Sequence, residues 1–337
     1  MGMLVDGIWN TEEPVTGKVS GEFKRVQSQF RDWITPDGRP GPREQTAHLA
    51  QAGRYHLFVS LACPWAHRAL IMRELKGLQD LVGVSVVNPV MGQQGWTFEP
   101  GGGVVGDPVM DAQFLYQLYQ RAKPGYTGRV TVPVLWDKQR NTILNNESAD
   151  IMRIFNSAFD DLGARKLDMA PAELLEQIDA MNAQVYDSIN NGVYKAGFAT
   201  TQPAYELAVQ ALFSALDGLE ALLSRQRYLV GTRLTEADWR LFTTLIRFDP
   251  VYVSHFKCNV RRLFDYPNLW HYLLELYQMP GVAGTVCLDH IKTHYYVSHR
   301  HINPTGIVPA GPMLDLDQPH GRGHLPAQPG PLHTGTQ

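Results

Sequence analysis

The stretch from residue 55 to residue 68 constrains the fold of this chain more than any other. Tyr55–Val59 is rich in aromatic and β-branched residues, which is typical of a buried strand. From Trp65 onward, apolar residues recur at helical spacing. Pro64 lacks a backbone N–H and has a fixed φ, so it suits the first turn of a helix. The pattern therefore predicts that Cys63 lies at or beside the N-cap, where a strand turns into a helix.

This position has a chemical consequence for the Cys63 thiol. The unpaired N–H groups and the positive end of the helix dipole stabilise an anion, which lowers the pKa of a thiol at a helix start. The thiolate is the form that attacks disulfides and thioethers. Ala66 stands where a second, resolving cysteine would be, so an external thiol would have to resolve a mixed disulfide. The alternative is that Cys63 is a small buried hydrophobic residue, the usual role of a free cysteine.

Length and composition exclude several classes of protein. A chain of 337 residues is long enough for two domains. A formal net charge of −3 gives no electrostatic reason to expect nucleic acid as a partner. Three cysteines without patterned spacing favour a reducing compartment over a disulfide scaffold. The first residues do not resemble a secretory signal, and no apolar run is long enough for a membrane helix. We therefore expect a soluble, cytoplasmic protein that does not bind membranes.

The order of the signals predicts an α/β unit preceded by an extension. Residues 1–50 are polar and rich in turns, but their aromatic residues indicate an arm that lies across the folded body. We assign residues 51–160 to the α/β unit. A second strand at 82–87 completes a βαβ motif, with Cys63 at the edge where open α/β sheets bind ligands. An insertion at 88–128 includes a predicted helix around 112–121, and insertions of this length tend to be functional.

Two features after the insertion suggest a ligand site. Pro133 interrupts the predicted strand 129–136, which leaves the N–H and C=O of Val132 free to bind something else; the isomer of the Val132–Pro133 bond stays open. Ser148 is predicted to cap the next helix, whose start offers N–H groups to a carboxylate, and Glu147 could pair with an ammonium group. Together they suit a ligand that carries an α-amino acid. An ordinary capped helix with a solvated glutamate explains the same residues.

Residues 161–312 show only helical patterns. Thr235 and Asp238 form a capping box, so Asp238 is interpreted as a folding residue rather than a catalytic one. A turn-rich loop at 190–198 presents Tyr194. His290 and His294 are four residues apart but lack the glutamate of a zinc-protease motif, so no metal site is expected. Residues 313–337 are predicted to form a disordered tail.

Several long motifs in register resemble the glutathione transferase superfamily, and more narrowly its Xi class, the glutathionyl-hydroquinone reductases. The resemblance extends from about residue 20 to residue 312. The matching motifs are CPWAHR at 63–68, GRVTVPVLWD at 128–137, NNES at 145–148, NNGVYKAGFA at 190–199 and LIRFD at 245–249.

The resemblance implies a thioredoxin-like domain followed by an all-helical domain, usually as a homodimer. It implies that Cys63 forms a mixed disulfide with glutathione, that aromatic glutathionyl-hydroquinones are the substrates, and that glutathione is a co-substrate with no permanently bound cofactor. The residues implied to hold glutathione are Trp96, Arg129, Val132, Glu147 and Ser148. Those implied to face the quinol are Tyr194, Tyr252 and Tyr295, with Tyr194 and Tyr295 as candidate proton donors to the leaving carbon. Considered without the resemblance, these tyrosines read as core residues with satisfied hydroxyls.

Other functions remain open at this point. The chain could be a general glutathione-dependent thiol reductase of the omega type, acting on mixed disulfides or dehydroascorbate. It could also be a ligand-binding module without catalytic activity. A conjugating transferase is less favoured, because such enzymes usually activate glutathione with Ser or Tyr where this chain has Cys63.

Overall fold

The backbone contacts divide the chain into two units. The structure is a computed structural model, and it describes residues 2–11 and 21–328. The described part of the first unit consists of residues 2–11, 27–166 and 287–308. The described part of the second unit consists of residues 21–26, 167–286 and 309–328.

The strands all belong to the first unit. They are β1 (Met3–Val5), β2 (Ile8–Asn10), β3 (Trp33–Thr35), β4 (Ala47–Leu49), β5 (Tyr55–Val59), β6 (Val82–Val86), β7 (Val134–Asp137) and β8 (Thr142–Asn145). The helices, in chain order, are α1 (Pro64–Leu75), α2 (Leu115–Ala122), α3 (Ser148–Ser157), α4 (Leu175–Val185), α5 (Gly192–Gly197), α6 (Gln202–Leu223), α7 (Glu236–Arg247), α8 (Pro267–Tyr277) and α9 (Leu288–Ser298).

A four-stranded mixed sheet organises the first unit, with the strand order β6-β5-β7-β8. β5 pairs parallel with β6 and antiparallel with β7, and β7 pairs antiparallel with β8. Every residue of β5 and β7 is buried, as expected for interior strands covered on both faces. The helices α1 and α3 pack against each other beside this sheet. The predicted βαβ motif is confirmed, and the Cys63 position falls at the carboxyl end of β5.

The N-terminal segment adds two small sheets to the first unit. β1 and β2 form an antiparallel hairpin, which is joined to the end of the insertion by the hydrogen bond from Leu4 N to Gly128 O (3.0 Å). β3 and β4 pair in parallel, and Asp32 N bonds to Leu144 O (3.1 Å) at β8. Residues 12–20 of the predicted extension lie outside the described residues.

The second unit contains α4 to α8. The longest helix, α6, buries the stripe of Leu212, Leu216, Leu219 and Leu223 that its 3.6-residue period predicts. The capping box that opens α7 is present: the side chain of Thr235 accepts from the backbone of Asp238, and the Asp238 carboxylate accepts from Thr235 N (2.8 Å). An α/β unit followed by helices is therefore confirmed as the fold class.

The prediction of a turn-rich loop at 190–198 is wrong. The chain continues from α4 through a π-helical segment (Tyr186–Asn190) into α5. An asparagine favours a turn when its side chain bonds to the neighbouring backbone. The side-chain amide of Asn190 instead bonds to Arg240 O (3.0 Å) and Thr244 Oγ1 (2.7 Å) on α7. Gly197 is needed for close packing, since a Cβ there would lie 2.2 Å from the ring of Phe256. Tertiary contacts thus override the turn propensity of these residues.

The two units divide the chain differently from the boundaries predicted from the sequence, and two of the differing segments lie toward the C-terminus. Residues 287–308, which include α9, group with the first unit rather than with the other helices. Residues 313–328, predicted as disordered, belong to the second unit, where Arg322 is buried and Gln278 Nε2 bonds to Leu316 O (2.9 Å) and Gln318 O (2.7 Å). Both segments make polar contacts with residues far away in the chain, and the local composition of a segment does not predict such contacts. The predicted tail beyond 328 lies outside the described residues.

Within residues 2–11 and 21–328, no helix combines the length and the apolar character needed to cross a bilayer.

Candidate active site

Cys63 lies where β5 gives way to α1. It is the N-cap of α1, with extended backbone angles (φ −77°, ψ 121°), and Pro64 is the first helical residue. This confirms the predicted placement of the cysteine. The thiol is partly exposed and its Sγ lies 3.6 Å from Val132 O, close enough to donate a weak hydrogen bond to that carbonyl. Cys63 is therefore a partly exposed residue at the helix end where the first-turn N–H groups lie.

The Val132–Pro133 peptide bond is cis, which answers the question that the sequence left open. The strand β7 begins only at Val134, where it pairs with Phe58 of β5. This is a correction to the predicted strand 129–136, because proline has no N–H for the strand ladder. Val132 thus lies outside the ladder, with its carbonyl beside the Cys63 thiol.

Glu147 and Ser148 lie at the start of α3, but their capping roles differ from the prediction. Glu147 is the N-cap, and its Oε1 accepts a hydrogen bond from Ala149 N (3.1 Å). Ser148 is the first helical residue, is buried, and places its Oγ 3.5 Å from Glu147 Oε1. Glu147 reaches the cap because the short β8 ends at Asn145, whose side chain accepts from Glu147 N (2.8 Å). The Glu147 carboxylate therefore lies beside the first N–H groups of α3. Such a pair of features suits the ammonium and the carboxylate of an α-amino acid ligand.

Trp96 and Arg129 come from the insertion and the segment that follows it. Trp96 is buried, its carbonyl accepts from Leu115 N (3.0 Å), and its indole stacks on His294 of α9 with ring centroids 4.7 Å apart. Arg129 is partly exposed, and its carbonyl accepts from the Tyr126 hydroxyl (3.1 Å). Both residues belong to the same unit as Cys63.

The three tyrosines are divided between the two units. Tyr295 is buried on α9 in the first unit, between the rings of His294 (5.3 Å) and His299 (5.5 Å). Tyr194 and Tyr252 lie together in the second unit, with ring centroids 6.2 Å apart. The aromatic rings around this pair are Phe23, Phe198 and Phe256.

Comparison with known proteins identifies the family. Residues 62–158 match the family model for the N-terminal domain of glutathione S-transferases, and residues 202–275 match the model for the C-terminal domain. The chain is 57% identical to the glutathionyl-hydroquinone reductase YqjG of Escherichia coli, over 96% of this chain and 98% of that protein. It is 54% identical to the glutathionyl-hydroquinone reductase PcpF of Sphingobium chlorophenolicum, over 94% and 98%.

Solved structures agree with this similarity. The glutathione-bound structure of YqjG matches with a TM-score of 0.88 at 55% identity, over 95% of this chain and 99% of that one. The Xi class glutathione transferase of Natrialba magadii matches with a TM-score of 0.89 at 49% identity, over 97% and 98%. This chain belongs to the Xi class of the glutathione transferase superfamily. The resemblance seen in the sequence motifs is confirmed, and with it the thioredoxin-like and all-helical fold.

In this Xi-class chain, sequence reasoning missed two residues that contact the segments around Val132 and Glu147. The Tyr119 hydroxyl donates to Thr131 O (2.8 Å) and accepts from Asn146 Nδ2 (3.2 Å), so it joins the residue before Val132 to the residue before Glu147. Burial raises the pKa of Tyr119, which keeps this hydroxyl protonated. Its only signal in the sequence is a place on the apolar stripe of α2, which marks a core residue.

Ser28 is the second missed residue. Its Oγ lies 3.1 Å from both Glu147 Oε2 and Asn146 O, so the N-terminal segment contacts the carboxylate oxygen of Glu147 that does not cap α3. A serine in a polar stretch carries no signal for such a contact.

The histidines that looked like a metal motif in the Xi-class sequence have other partners. His290 Nε2 lies 2.6 Å from Gly102 O, and His294 Nδ1 lies 2.9 Å from Pro89 O. Both rings thus donate a hydrogen bond to a backbone carbonyl. Among the described residues, no group of three or more His, Cys, Asp or Glu side chains is arranged to hold a metal ion.

Proposed function

We propose that this chain reduces glutathionyl-hydroquinones to hydroquinones with glutathione and releases glutathione disulfide. The observation that carries the proposal is the partly exposed Cys63 at the start of α1, with its Sγ 3.6 Å from Val132 O. Two similar curated proteins, YqjG and PcpF, are named for this activity. The general thiol reductase of the omega type is the weaker fit to these relatives.

The first chemical step is attack of the Cys63 thiolate on the glutathione sulfur of the substrate. An S–S bond forms and the bond from sulfur to the ring carbon breaks, so the ring carbon leaves with the electron pair. Tyr194 or Tyr295 supplies the proton that this carbon takes up. The products are the hydroquinone, which is reduced, and a Cys63–glutathione mixed disulfide, in which both sulfurs are oxidised.

The second step regenerates the enzyme. A glutathione thiolate attacks the glutathione sulfur of the mixed disulfide, glutathione disulfide leaves, and Cys63 returns as a thiolate. The absence of a cysteine at Ala66 fits this scheme, because glutathione itself acts as the resolving thiol. Ping-pong kinetics follow from the two separate half-reactions.

The glutathione site in this proposal consists of Trp96, Arg129, Val132, Glu147 and Ser148. The γ-glutamyl end would bind at the start of α3, with its ammonium on Glu147 and its carboxylate on the Ser148 hydroxyl and N–H groups. The backbone of Val132 would hold the cysteinyl part next to Cys63. The guanidinium of Arg129 would pair with a carboxylate of the tripeptide.

Tyr194, Tyr252 and Tyr295 are the residues proposed to contact the quinol. Aromatic rings suit a planar hydroquinone, and a tyrosine hydroxyl can donate a proton or a hydrogen bond to it. The Tyr194→Phe and Tyr295→Phe variants would separate the two candidate proton donors. The proton donor is the tyrosine whose loss lowers the rate constant of the C–S cleavage half-reaction without changing the rate at which glutathione resolves the mixed disulfide.

The test is an assay of the purified full chain with glutathionyl-menadiol and glutathione. We expect one hydroquinone and one glutathione disulfide per turnover, and intact-mass spectrometry should find one glutathione on Cys63 after the first half-reaction. Faster turnover of a small mixed disulfide or dehydroascorbate would favour the general reductase. Failure of Cys63 to take up glutathione from glutathione disulfide would favour a non-catalytic binding module.

Two further assignments belong to this proposal. A homodimer, usual in the superfamily, would be detected by light scattering coupled to gel filtration. A cytoplasmic location is supported by Cys63, Cys258 and Cys287 forming no disulfide, since a reducing compartment keeps thiols reduced. Fractionation of cells that express the chain would test the location.

A further inference from the structure

One face of α9 holds the insertion that carries Trp96. His290, His294 and Ser298 are spaced four residues apart, so they lie along one side of the helix. Each bonds to the backbone of the insertion: His290 Nε2 to Gly102 O (2.6 Å), His294 Nδ1 to Pro89 O (2.9 Å), and Ser298 Oγ to Met91 N (2.9 Å). We call these three residues the α9 clasp. The three hydrogen bonds join segments of the first unit.

The central member of the clasp also touches the indole of Trp96. The rings of His294 and Trp96 are 4.7 Å apart with an interplanar angle of 22°, which is a stacked geometry. The hydrogen bond from Nδ1 to Pro89 O fixes the orientation of the imidazole plane. Both side chains are buried, at 7% relative exposure each. His294 therefore gives Trp96 a flat surface whose own orientation is set by the backbone of the insertion.

The same helix carries a residue of the proposed quinol site. Tyr295 follows His294 directly, with their rings 5.3 Å apart. Because α9 is one continuous helix, it sets the position of Tyr295 and, through His294, the position of Trp96. The helix α9 would then set the positions of one residue that contacts the glutathione part of the substrate and of one that contacts the quinol part.

We propose that His294 is a positioning residue that holds Trp96 in its glutathione-binding orientation by ring stacking. The inference rests on the proposed function only where it assigns Trp96 to the glutathione site. Removal of the ring frees the indole to take other rotamers, so glutathione must pay the cost of ordering it on binding. The effect should appear in glutathione affinity rather than in the chemical step.

The experiment uses the full chain with 5-fluorotryptophan at all seven tryptophans. The Trp96→Phe variant identifies the fluorine resonance of Trp96. Glutathione is titrated against the wild type, His294→Phe, which keeps an aromatic plane, and His294→Gln, which keeps a donor for Pro89 O but no ring. The matched control is His48→Ala, which removes a histidine bonded to Asp32 and Arg140 in the same unit.

We expect His294→Gln to move the Trp96 resonance and to weaken glutathione binding about tenfold, with kcat within about twofold, as loss of a stacked pair and its order would do. His294→Phe should stay within about threefold of the wild type, and His48→Ala should be unchanged. A folded His294→Gln with wild-type resonance and affinity would overturn the inference. Weakened glutathione binding in His294→Phe together with wild-type binding in His294→Gln would also overturn it, because the hydrogen bond rather than the stacked ring would then hold Trp96.

These readouts are independent of turnover. If the wild type binds glutathione with a shift of the Trp96 resonance but releases no hydroquinone, the proposed activity fails while the role of His294 is still tested by the variants. If the wild type turns over but its Trp96 resonance does not shift when glutathione is added, the proposed role of His294 is wrong and the proposed activity is supported.

Discussion

Cys63 and Cys258 occupy opposite environments in the two units. Cys63 is partly exposed at a helix start, with its Sγ 3.6 Å from a backbone carbonyl. Cys258 has no exposed surface, and burial raises the pKa of its thiol. Because only a thiolate is nucleophilic, the first thiol is suited to chemistry and the second to packing. One residue type thus serves two purposes according to whether its backbone delivers it to a helix end or to a core.

The same contrast in exposure separates two charged groups of the second unit from the charged and nucleophilic groups of the candidate site. The second unit seals Asp238 and Arg322 in its interior and satisfies them with hydrogen bonds. The first unit leaves Cys63, Arg129 and Glu147 partly exposed. Buried and hydrogen-bonded groups such as Asp238 and Arg322 stabilise the fold, whereas partly exposed groups are the ones that we propose to contact a ligand.

The largest effect expected from this contrast is on turnover. Cys63→Ala should lower kcat for glutathionyl-menadiol by about 10³-fold or more, because it removes the nucleophile. Cys258→Ala should stay within about twofold of the wild type. Steady-state assays of both variants, with equilibrium glutathione binding measured alongside, would test the pair. Retained turnover in Cys63→Ala would contradict the mechanism, and a comparable loss in Cys258→Ala would break the comparison.

The next largest effect is expected at Arg322, on the side of the sealed groups. Its guanidinium bonds to Glu275 Oε2 (3.0 Å) and to the carbonyls of Leu223 (3.2 Å) and Arg227 (2.8 Å). Arg322→Ala should lower the free energy of unfolding by about 3–5 kcal/mol, as breaking a buried pair does. Urea titration of the full chain measures the change.

Two control variants separate the effect of losing a positive charge from the effect of losing a buried, hydrogen-bonded guanidinium. Arg322→Lys restores the charge without the planar fork and should recover only part of the loss. Arg233→Ala breaks a largely exposed pair with Glu173 and should cost less than about 1 kcal/mol. Equal losses in Arg322→Ala and Arg233→Ala would show that the segment around Arg322 does not stabilise the second unit.

Arg322 also shows where prediction from sequence stops. The strand, cysteine and proline of residues 55–64 are adjacent in the chain, so local rules placed Cys63 at the cap correctly. The position of residues 313–328 depends on contacts such as those of Arg322 with carbonyls about a hundred residues away, and a window rich in Pro and Gly has no signal for them. The same reason explains the missed helix α5, because the preceding Asn190 bonds to α7 through its side-chain amide.

The candidate site divides in the same way. Val132, Glu147 and Ser148 follow strand ends and could be suggested from sequence, although the cap fell on Glu147 and not on Ser148. Ser28 and His294 reach the site through contacts of 119 and 205 residues in separation, so only a folded structure reveals them.

A third effect concerns pH and tests how tightly the second unit seals Asp238. Burial raises the pKa of Asp238 to about 6, against four hydrogen bonds that lower it. Below about pH 4 the group is protonated in both the folded and the unfolded state. Between about pH 4 and 6 only the unfolded state releases the proton, so stability falls by about 3 kcal/mol as the pH rises. The melting temperature of Asp238→Asn should lack this fall.

The comparison of slopes removes the cost of the substitution itself. Asp238→Asn loses acceptor capacity and should be less stable overall, but the difference from the wild type should shrink as the pH rises from 4 to 7. A difference that is constant over this range would mean that Asp238 ionises as easily in the folded chain as in the unfolded one.

The smallest effect belongs to Glu147, where capping and ligand binding compete as explanations. Glu147→Gln keeps a carbonyl that can accept from Ala149 N, so the melting temperature should stay close to that of the wild type. It removes the charge that would pair with the ammonium of glutathione, so KM for glutathione should rise about tenfold. Glu147→Ala loses both roles and should also cost about 1 kcal/mol of stability.

An analogue of glutathione without its α-amino group isolates the ammonium contact. The wild type should prefer glutathione over this analogue, and Glu147→Gln should bind both equally, because the interaction is lost once either partner is removed. If Glu147→Gln keeps the full preference, the glutamate is only the solvated cap of α3 and the ammonium must find its partner elsewhere. The open and sealed groups of the two units would then differ in exposure without differing in function at this position.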